Sequence, residues 1–221
     1  MDPLADAIDR ILAAGRRLGA RGLISAGEGN LSVRLDADRL LTTPTGLRKD
    51  ELTPDDLVIV WIDHPEREAV SRSGHRPSSD LAIHLAVHQA RRDIGAVAHA
   101  HLPASMGLTL AGEVPDPAAL PETALLLPRL PFVPLGVPGS EELAGRIAAA
   151  LSEPPEPPAS AVLLERHGAV AVGRDPGHAV DRLELVEVLC RTWRDALLTR
   201  AARAAMGIVD ERTRASETEG P

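Results

Sequence analysis

Apolar residues recur along the chain with two spacings, and the spacing separates predicted helices from predicted strands. Apolar positions three or four apart indicate amphipathic helices, whereas short alternating or continuous apolar runs indicate strands. Helices are predicted over 3–21, from 80 to about 92, briefly from 103, over 140–151 and over 176–206. Strands are predicted over 31–35, 39–43, 57–61, 95–102, 161–165 and 169–173, with a loop over 63–77 and extended chain over 115–138.

These elements follow one another without a regular strand–helix–strand rhythm. We therefore predict an α/β fold: a single domain with a mixed, mainly antiparallel central sheet covered by helices on both sides. A chain of 221 residues is long enough to bury the core of one such domain. The domain is predicted to occupy 1–209, and the polar segment 210–221 is predicted to be a disordered tail.

Composition narrows the class of protein. The net charge is -8 and charges of both signs are interspersed, so no basic stripe suggests nucleic-acid binding. The first residues do not resemble a signal peptide, and no apolar segment is long enough to span a membrane. The single cysteine, Cys190, lies in an apolar helical pattern typical of a buried thiol. We therefore expect a cytoplasmic protein whose partners are neither nucleic acids nor membranes.

The first candidate chemistry is a pair of histidines, His99 and His101, in the predicted strand 95–102. Side chains two apart in a strand point to the same face, as two ligands of one metal ion would. A third histidine would complete a catalytic site with an open coordination position, and His167 is a candidate. From spacing alone, two imidazoles on a solvent-facing strand remain an equal alternative.

A second histidine pair, His84 and His88, lies four apart on a predicted helix, with Asp80 four residues earlier on the same face. Helical pairs of this kind can bind zinc, but metalloproteases carry glutamate directly after the first histidine, and here that residue is Leu85. We interpret His84 and His88 as residues beside the site rather than as ligands.

Several turns could bind an anion. Ser78 and Ser79 precede Asp80 at a predicted helix start, where hydroxyls and free N–H groups favour phosphate. An ordinary helix cap explains the same residues. Likewise, Arg48 and Lys49 either neutralise an anion or are simply solvated.

Five motifs occur together in a fixed order, and together they resemble the class II aldolase/adducin family. They are 29–34, 43–46, 77–80, 99–101 and 167–171, and their span covers most of the chain. The resemblance implies a divalent metal, zinc or another such as Mn²⁺ or Co²⁺, held by His99, His101 and His167. It also implies that Asp80 moves a proton or acts as a fourth ligand. The phosphate of a sugar phosphate would then be bound by Asn30, Thr45, Gly46, Ser78 and Ser79. A homotetramer of C4 symmetry, with sites between subunits, is implied as well.

The activity that the resemblance implies is that of an aldolase. Such an enzyme cleaves a ketose phosphate, for example L-fuculose 1-phosphate, through a metal-stabilised enediolate. Asp80 stands where the aldolases usually have glutamate, which favours the related L-ribulose-5-phosphate 4-epimerases as an alternative. Both branches use a tyrosine as proton donor, and this sequence contains none. Relatives that decarboxylate or dehydrate sugar-derived phosphates are therefore a further alternative, and Glu122 is the one acidic residue in the comparable region. A non-catalytic module like the adducin head would predict eroded ligands, whereas all three histidines are present.

Overall fold

A mixed eight-stranded sheet organises the part of the chain that the computed structural model describes, residues 2–154 and 157–208. The strand order across the sheet is β4-β3-β2-β1-β5-β8-β7-β6. The strands are β1 (Asn30–Arg34), β2 (Arg39–Thr42), β3 (Val58–Trp61), β4 (Val70–Ser71), β5 (Ala96–Ala100), β6 (Phe132–Val133), β7 (Ala161–Leu164) and β8 (Gly168–Gly173). The α-helices are α1 (Pro3–Ala20), α2 (Leu81–Ala90), α3 (Pro103–Leu110), α4 (Pro121–Leu126), α5 (Glu141–Ser152) and α6 (Pro176–Ala205).

Every strand pair in this sheet is antiparallel except β6 and β7, which run parallel. The mixed, mainly antiparallel sheet predicted from the sequence is therefore confirmed. Strand β5 lies at the centre, between β1 and β8, although β8 comes some 70 residues later in the chain. This pairing brings distant segments together at the ends of β1, β5 and β8.

Helices cover both faces of the sheet, as predicted, and β5 shows how the faces divide. Ala98 and Ala100 pack with apolar residues of α1, α3 and α6, whereas Val97 packs with apolar residues of α2 and α5. Each fully buried leucine, isoleucine or valine in these layers contributes roughly 1.5–3 kcal/mol. His99 alternates with Ala98 and Ala100, so it lies on the α2 side of the sheet.

The predicted elements differ from the structure mainly in two polar or proline-rich stretches. The loop 63–77 contains the short strand β4, and the stretch predicted to be extended, 115–138, contains α4 and β6. Pro121 is the first residue of α4, where a missing N–H costs nothing, so a proline in the stretch predicted to be extended begins a helix. Strand β5 ends at Ala100, one residue before His101.

The predicted tail, 210–221, lies outside the described residues. None of the helices in the described ranges combines the length and apolar character needed to cross a membrane.

Candidate functional site

Three histidines converge at the end of β5. The ring centroids of His99 and His101 are 5.0 Å apart, and each lies 4.8 Å from that of His167. The three rings cross at nearly equal angles of 61° to 62°, and one nitrogen of each lies within 4.8 Å of the others. The rings therefore form an almost three-fold cage, as the ligands of one metal ion would.

The turn before β8 brings the third histidine to the pair. Gly168 adopts a φ of +85°, and a Cβ atom there would lie 2.7 Å from the Cα atom of His101. Only glycine fits this backbone conformation without strain. Because the chain passes so close to β5 at Gly168, the side chain of His167 reaches the pair.

His99 shows that the cage suits a metal. Its ring is completely buried, and its Nδ1–H donates to the carbonyl oxygen of Ala169 at 3.0 Å. Its Nε2 therefore carries a lone pair, and this buried atom has no hydrogen-bond partner among the described residues. Burial lowers the pKa of His99 to about 3, so the imidazole is neutral, the form that binds metals. An unpartnered buried nitrogen costs roughly 1–3 kcal/mol, which a metal bond would offset.

Asp80 lies beside the cage. One of its carboxylate oxygens, Oδ2, is 4.0 Å from Nε2 of His99 and accepts a hydrogen bond of 2.8 Å from Nδ2 of Asn30. Burial raises the pKa of this carboxyl group, but the positive charge of His99 when protonated, the Asn30 hydrogen bond and the charge of protonated His167 outweigh it, and the net pKa lies below its ordinary value. Although Asp80 occupies the cap position of α2, its carboxylate accepts no bond from that helix. The hydroxyl of Ser78 accepts a hydrogen bond of 3.2 Å from the backbone N–H of Asp80, so a capping role of Ser78 agrees with the structure.

A cavity of about 310 Å³ opens beside the cage. It is lined by His101, His167 and Asp80. The residues predicted to bind phosphate also line it: Asn30, Thr45, Gly46, Ser78 and Ser79. A larger groove of about 450 Å³ lies between α1, α4 and α6, but the histidine cage does not face it.

Asn30 has a more specific position than the sequence suggested. Its amide nitrogen donates to Asp80, and its amide oxygen lies 2.6 Å from Nε2 of His84. Both ends of the amide are thus engaged. His84 and His88 are fully buried behind Asn30 and outside the cage, as expected of residues beside the site. By contrast, Glu122 is exposed on α4 and does not line the cavity.

The sequence left two roles open for Lys49, neutralising an anion or being solvated. Its side chain is only 2% exposed, and its ammonium group donates hydrogen bonds of 2.6 Å to the carbonyl oxygens of Gly27 and Leu47. Burial lowers its pKa to about 8, partly opposed by the charge of Asp80. The sequence did contain a signal, because Lys49 is the only lysine among 24 lysine and arginine residues.

A second carboxylate, that of Glu28, lines the cavity and lies 3.7 Å from Nδ1 of His101. The cavity therefore combines a nitrogen cage for a metal, two carboxylates that can exchange protons, and a cationic and hydroxyl-bearing wall. This combination suits a reaction at a carbonyl group of an anionic substrate.

The single cysteine lies outside this site. Cys190 is buried as predicted, and burial raises the pKa of its thiol to about 12, so it is unreactive.

Known proteins are similar to this chain in sequence and in fold. The chain is 33% identical over 195 residues to a methylthioribulose-1-phosphate dehydratase of Acidiphilium cryptum, covering 85% of this chain and 90% of that protein. It is 32% identical over 204 residues to a 3-oxo-tetronate 4-phosphate decarboxylase of Cupriavidus necator, covering 90% and 89%. The structure resembles that of an L-fuculose-1-phosphate aldolase from Thermus thermophilus, with a TM-score of 0.74, 29% identity and coverage of 90% and 97%.

The family comparison agrees with these relatives. Residues 9–194 match the Class II Aldolase and Adducin N-terminal domain. That range contains the cage, both carboxylates and the cavity. The chain therefore belongs to the class II aldolase and adducin family.

Proposed function

We propose that the protein is a metal-dependent lyase that removes water from a phosphorylated ketose of the methylthioribulose 1-phosphate type. The observation that carries the proposal is the histidine cage, with its unpartnered nitrogen on His99, at the edge of a cavity lined by two carboxylates and a buried lysine. Each part of the cavity corresponds to one requirement of the reaction.

His99, His101 and His167 would hold the metal. Three imidazole nitrogens suit zinc and also accept manganese or cobalt, and they leave a position open for a substrate oxygen. When bound there, the metal supplies a Lewis acid that polarises the substrate carbonyl. We assign Asp80 to proton transfer, although a role as fourth ligand is the alternative, because Asn30 already engages the carboxylate oxygen nearest to His99.

Lys49 and the surrounding hydroxyls would bind the phosphate. The ammonium group is 2% exposed, and its hydrogen bonds within the described residues go to neutral backbone carbonyl oxygens, which favours an anionic ligand. Ser78, Ser79 and the turn of Thr45 and Gly46 line the same cavity, next to the start of α2. Helix starts and backbone N–H groups attract phosphate. The volume of about 310 Å³ is at the lower end of the range for small-molecule sites.

The two carboxylates account for the proton movements. In the proposed reaction Asp80 removes a proton from the carbon next to the carbonyl, and the hydroxyl on the following carbon departs. Glu28, the other carboxylate of the cavity, passes a proton to that hydroxyl, which leaves as water. The organic product is an enol that rearranges to a diketone. The sequence contains no tyrosine, so no subunit of an oligomer could supply one as proton donor. We therefore assign that role to the carboxylates.

Aldol cleavage of a ketose 1-phosphate, the activity expected from the sequence, is the second candidate. Its support is the structural likeness to the Thermus thermophilus aldolase over 90% of this chain. The same carboxylate that removes a carbon-bound proton can return one after a carbon–carbon bond breaks. The two reactions therefore differ in the bond that breaks and in the product, and not in the site.

The product distinguishes the candidates. Protein loaded with zinc, manganese or cobalt is incubated in turn with methylthioribulose 1-phosphate, L-fuculose 1-phosphate and 3-oxo-tetronate 4-phosphate. Phosphorus NMR and an aldehyde assay then follow the products. We expect a phosphorylated diketone without free aldehyde from the first substrate, and no turnover by Asp80→Asn. Aldehyde release would favour the aldolase, and carbon dioxide release from the third substrate would favour a decarboxylase.

We also propose a C4 homotetramer in which a neighbouring copy packs beside the cavity. Leu135 and Val137 are 50% and 72% exposed, and they precede Pro138, which lines the cavity. Exposed apolar side chains next to a site favour a subunit contact. Light scattering coupled to size-exclusion chromatography tests this, and a monomeric mass would contradict it.

A further inference from the structure

A continuous chain of buried hydrogen bonds runs from Asp80 through the interior to Arg34. Starting at Asp80, it passes through Asn30 (2.8 Å), His84 (2.6 Å), Ser32 (2.7 Å), His88 (3.0 Å) and Arg34 (3.2 Å). Ser32, His84 and His88 are completely buried, and Asn30 is 2% exposed. The chain joins β1, which carries three of its members, to α2, which carries both histidines.

The Arg34 end fixes the direction of donation. A guanidinium group can only donate, so Nδ1 of His88 accepts from Arg34. The proton of the neutral His88 ring is then on Nε2 and is donated to the hydroxyl oxygen of Ser32. The Ser32 hydroxyl in turn donates its own proton to Nδ1 of His84.

The Asp80 end fixes the same direction independently. An ionised carboxylate can only accept, so Asn30 turns its NH₂ group towards Asp80 and its oxygen towards His84. Nε2 of His84 must therefore carry the proton. Burial lowers the pKa of His84 to about 4 and that of His88 well below its ordinary value, so both rings are neutral. Both ends thus require one arrangement, with every proton donated towards Asp80.

We propose that Arg34, His88, Ser32 and His84 are positioning residues that fix the Asn30 amide and thereby the orientation of the Asp80 carboxylate. Without His84, the Asn30 amide could rotate by half a turn at no steric cost. Its oxygen would then face the carboxylate of Asp80 at 2.8 Å, which is repulsive. The effect on turnover rests on the proposed function of Asp80, whereas the arrangement of protons does not.

The arrangement of protons can be measured directly. Nitrogen NMR of the side chains, in protein labelled at histidine, reports which ring nitrogen carries the proton. Assignment uses single variants of His84 and His88. We expect both residues to be neutral with the proton on Nε2 at pH 7, with or without substrate. A proton on Nδ1 of either residue, or a charged ring, would overturn the proposal.

The effect on turnover uses a matched pair of variants at His88. In His88→Gln, the amide oxygen can accept from Arg34 and the NH₂ group can donate to Ser32, so the direction is preserved. His88→Leu interrupts the chain four hydrogen bonds away from Asp80. We expect His88→Leu to lower kcat about 10-fold or more, with KM within about twofold and metal content unchanged, and His88→Gln to retain most of kcat.

Thr42→Val is the control for a general effect of losing a buried polar group. Thr42 lies directly across from Ser32 on β2, is completely buried, and donates to the carbonyl oxygen of Leu31 without joining the chain. It should leave kcat unchanged. Equal kcat in wild type and His88→Leu, or equal losses in both His88 variants and Thr42→Val, would overturn the positioning role. A wild-type protein inactive on all substrates would instead refute the proposed function and leave the proton arrangement to be judged by NMR.

Discussion

Replacing Lys49 by methionine should change how the stability of the protein depends on pH. The pKa of this lysine is about 8, against 10.5 for an ordinary lysine, because burial disfavours the charged ammonium. Between these two values the unfolded chain binds more protons than the folded protein, so the free energy of unfolding rises with pH. At about 1.4 kcal/mol per pKa unit, burial of the charge lowers the free energy of unfolding by about 3 kcal/mol at pH 7. Because the lysine loses its charge as the pH rises, the free energy of unfolding increases by about 2.5 kcal/mol between pH 7 and pH 10.

Urea unfolding at pH 7 and pH 10 measures this difference. Both proteins are kept free of metal, because a metal ion in the cage would add positive charge nearby. The wild type should gain about 2.5 kcal/mol relative to Lys49→Met over this range. Arg48→Met is the control, because it removes the neighbouring positive charge, which pairs with Asp50 and Glu51 at the surface. It should keep the pH dependence of the wild type.

The lysine can also be observed alone. Because it is the only lysine in the sequence, protein labelled with ¹³C-lysine gives one side-chain signal to titrate. That signal should titrate near 8 without ligand and at higher pH with inorganic phosphate, since a bound anion favours the charged ammonium. Identical pH dependence in wild type and Lys49→Met, or titration near 10.5 without phosphate, would refute the reasoning.

Substitutions at three further positions test the cage and its support. His101→Ala should abolish metal binding and turnover together, and a variant that keeps full metal content by atomic absorption would contradict the ligand assignment. Gly168→Ala should destabilise the protein by at least about 2 kcal/mol in urea unfolding, because its backbone conformation and close approach to β5 exclude a Cβ atom. Glu187→Ala should cost about 2–4 kcal/mol, since the buried carboxylate accepts from the N–H groups of Ala104 and Ser105 at the start of α3. Glu187→Gln, which keeps one acceptor oxygen, should cost less in the same assay.

The histidine pair was predictable because it depends on local geometry. His99 and His101 are two residues apart in and just after β5, so strand geometry alone places them together. The contribution of His167 depends on β8 pairing with β5, a contact between segments some 70 residues apart. Spacing carries no information about that pairing. The resemblance to a family predicted that His167 joins the pair, and in the structure its ring lies 4.8 Å from those of His99 and His101.

Two other features could not be predicted from the sequence, for different physical reasons. Proline begins helices as readily as it ends them, so the position of Pro121 at the start of α4 was ambiguous in the stretch 115–138. For His84 and His88, helical spacing gave a common face, but not what that face touches. Their partners Ser32 and Asn30 lie on β1, and the contact exists only once α2 packs on the sheet.

The structure connects the proposed phosphate and metal parts of the site through one loop. Lys49 donates to the carbonyl oxygen of Gly27, and three residues later Asn30 begins β1 and donates to Asp80. Between them, Gly29 has a φ of +68°, and a Cβ atom there would lie 2.9 Å from the carbonyl oxygen of His99. The loop is therefore held against β5 at one end and to the lysine at the other. An anion that draws the ammonium of Lys49 away from Gly27 acts on the same loop that orients Asp80. Binding of the phosphate group, remote from the reacting carbons, would thus be linked to the placement of Asp80, the carboxylate to which we assign proton transfer.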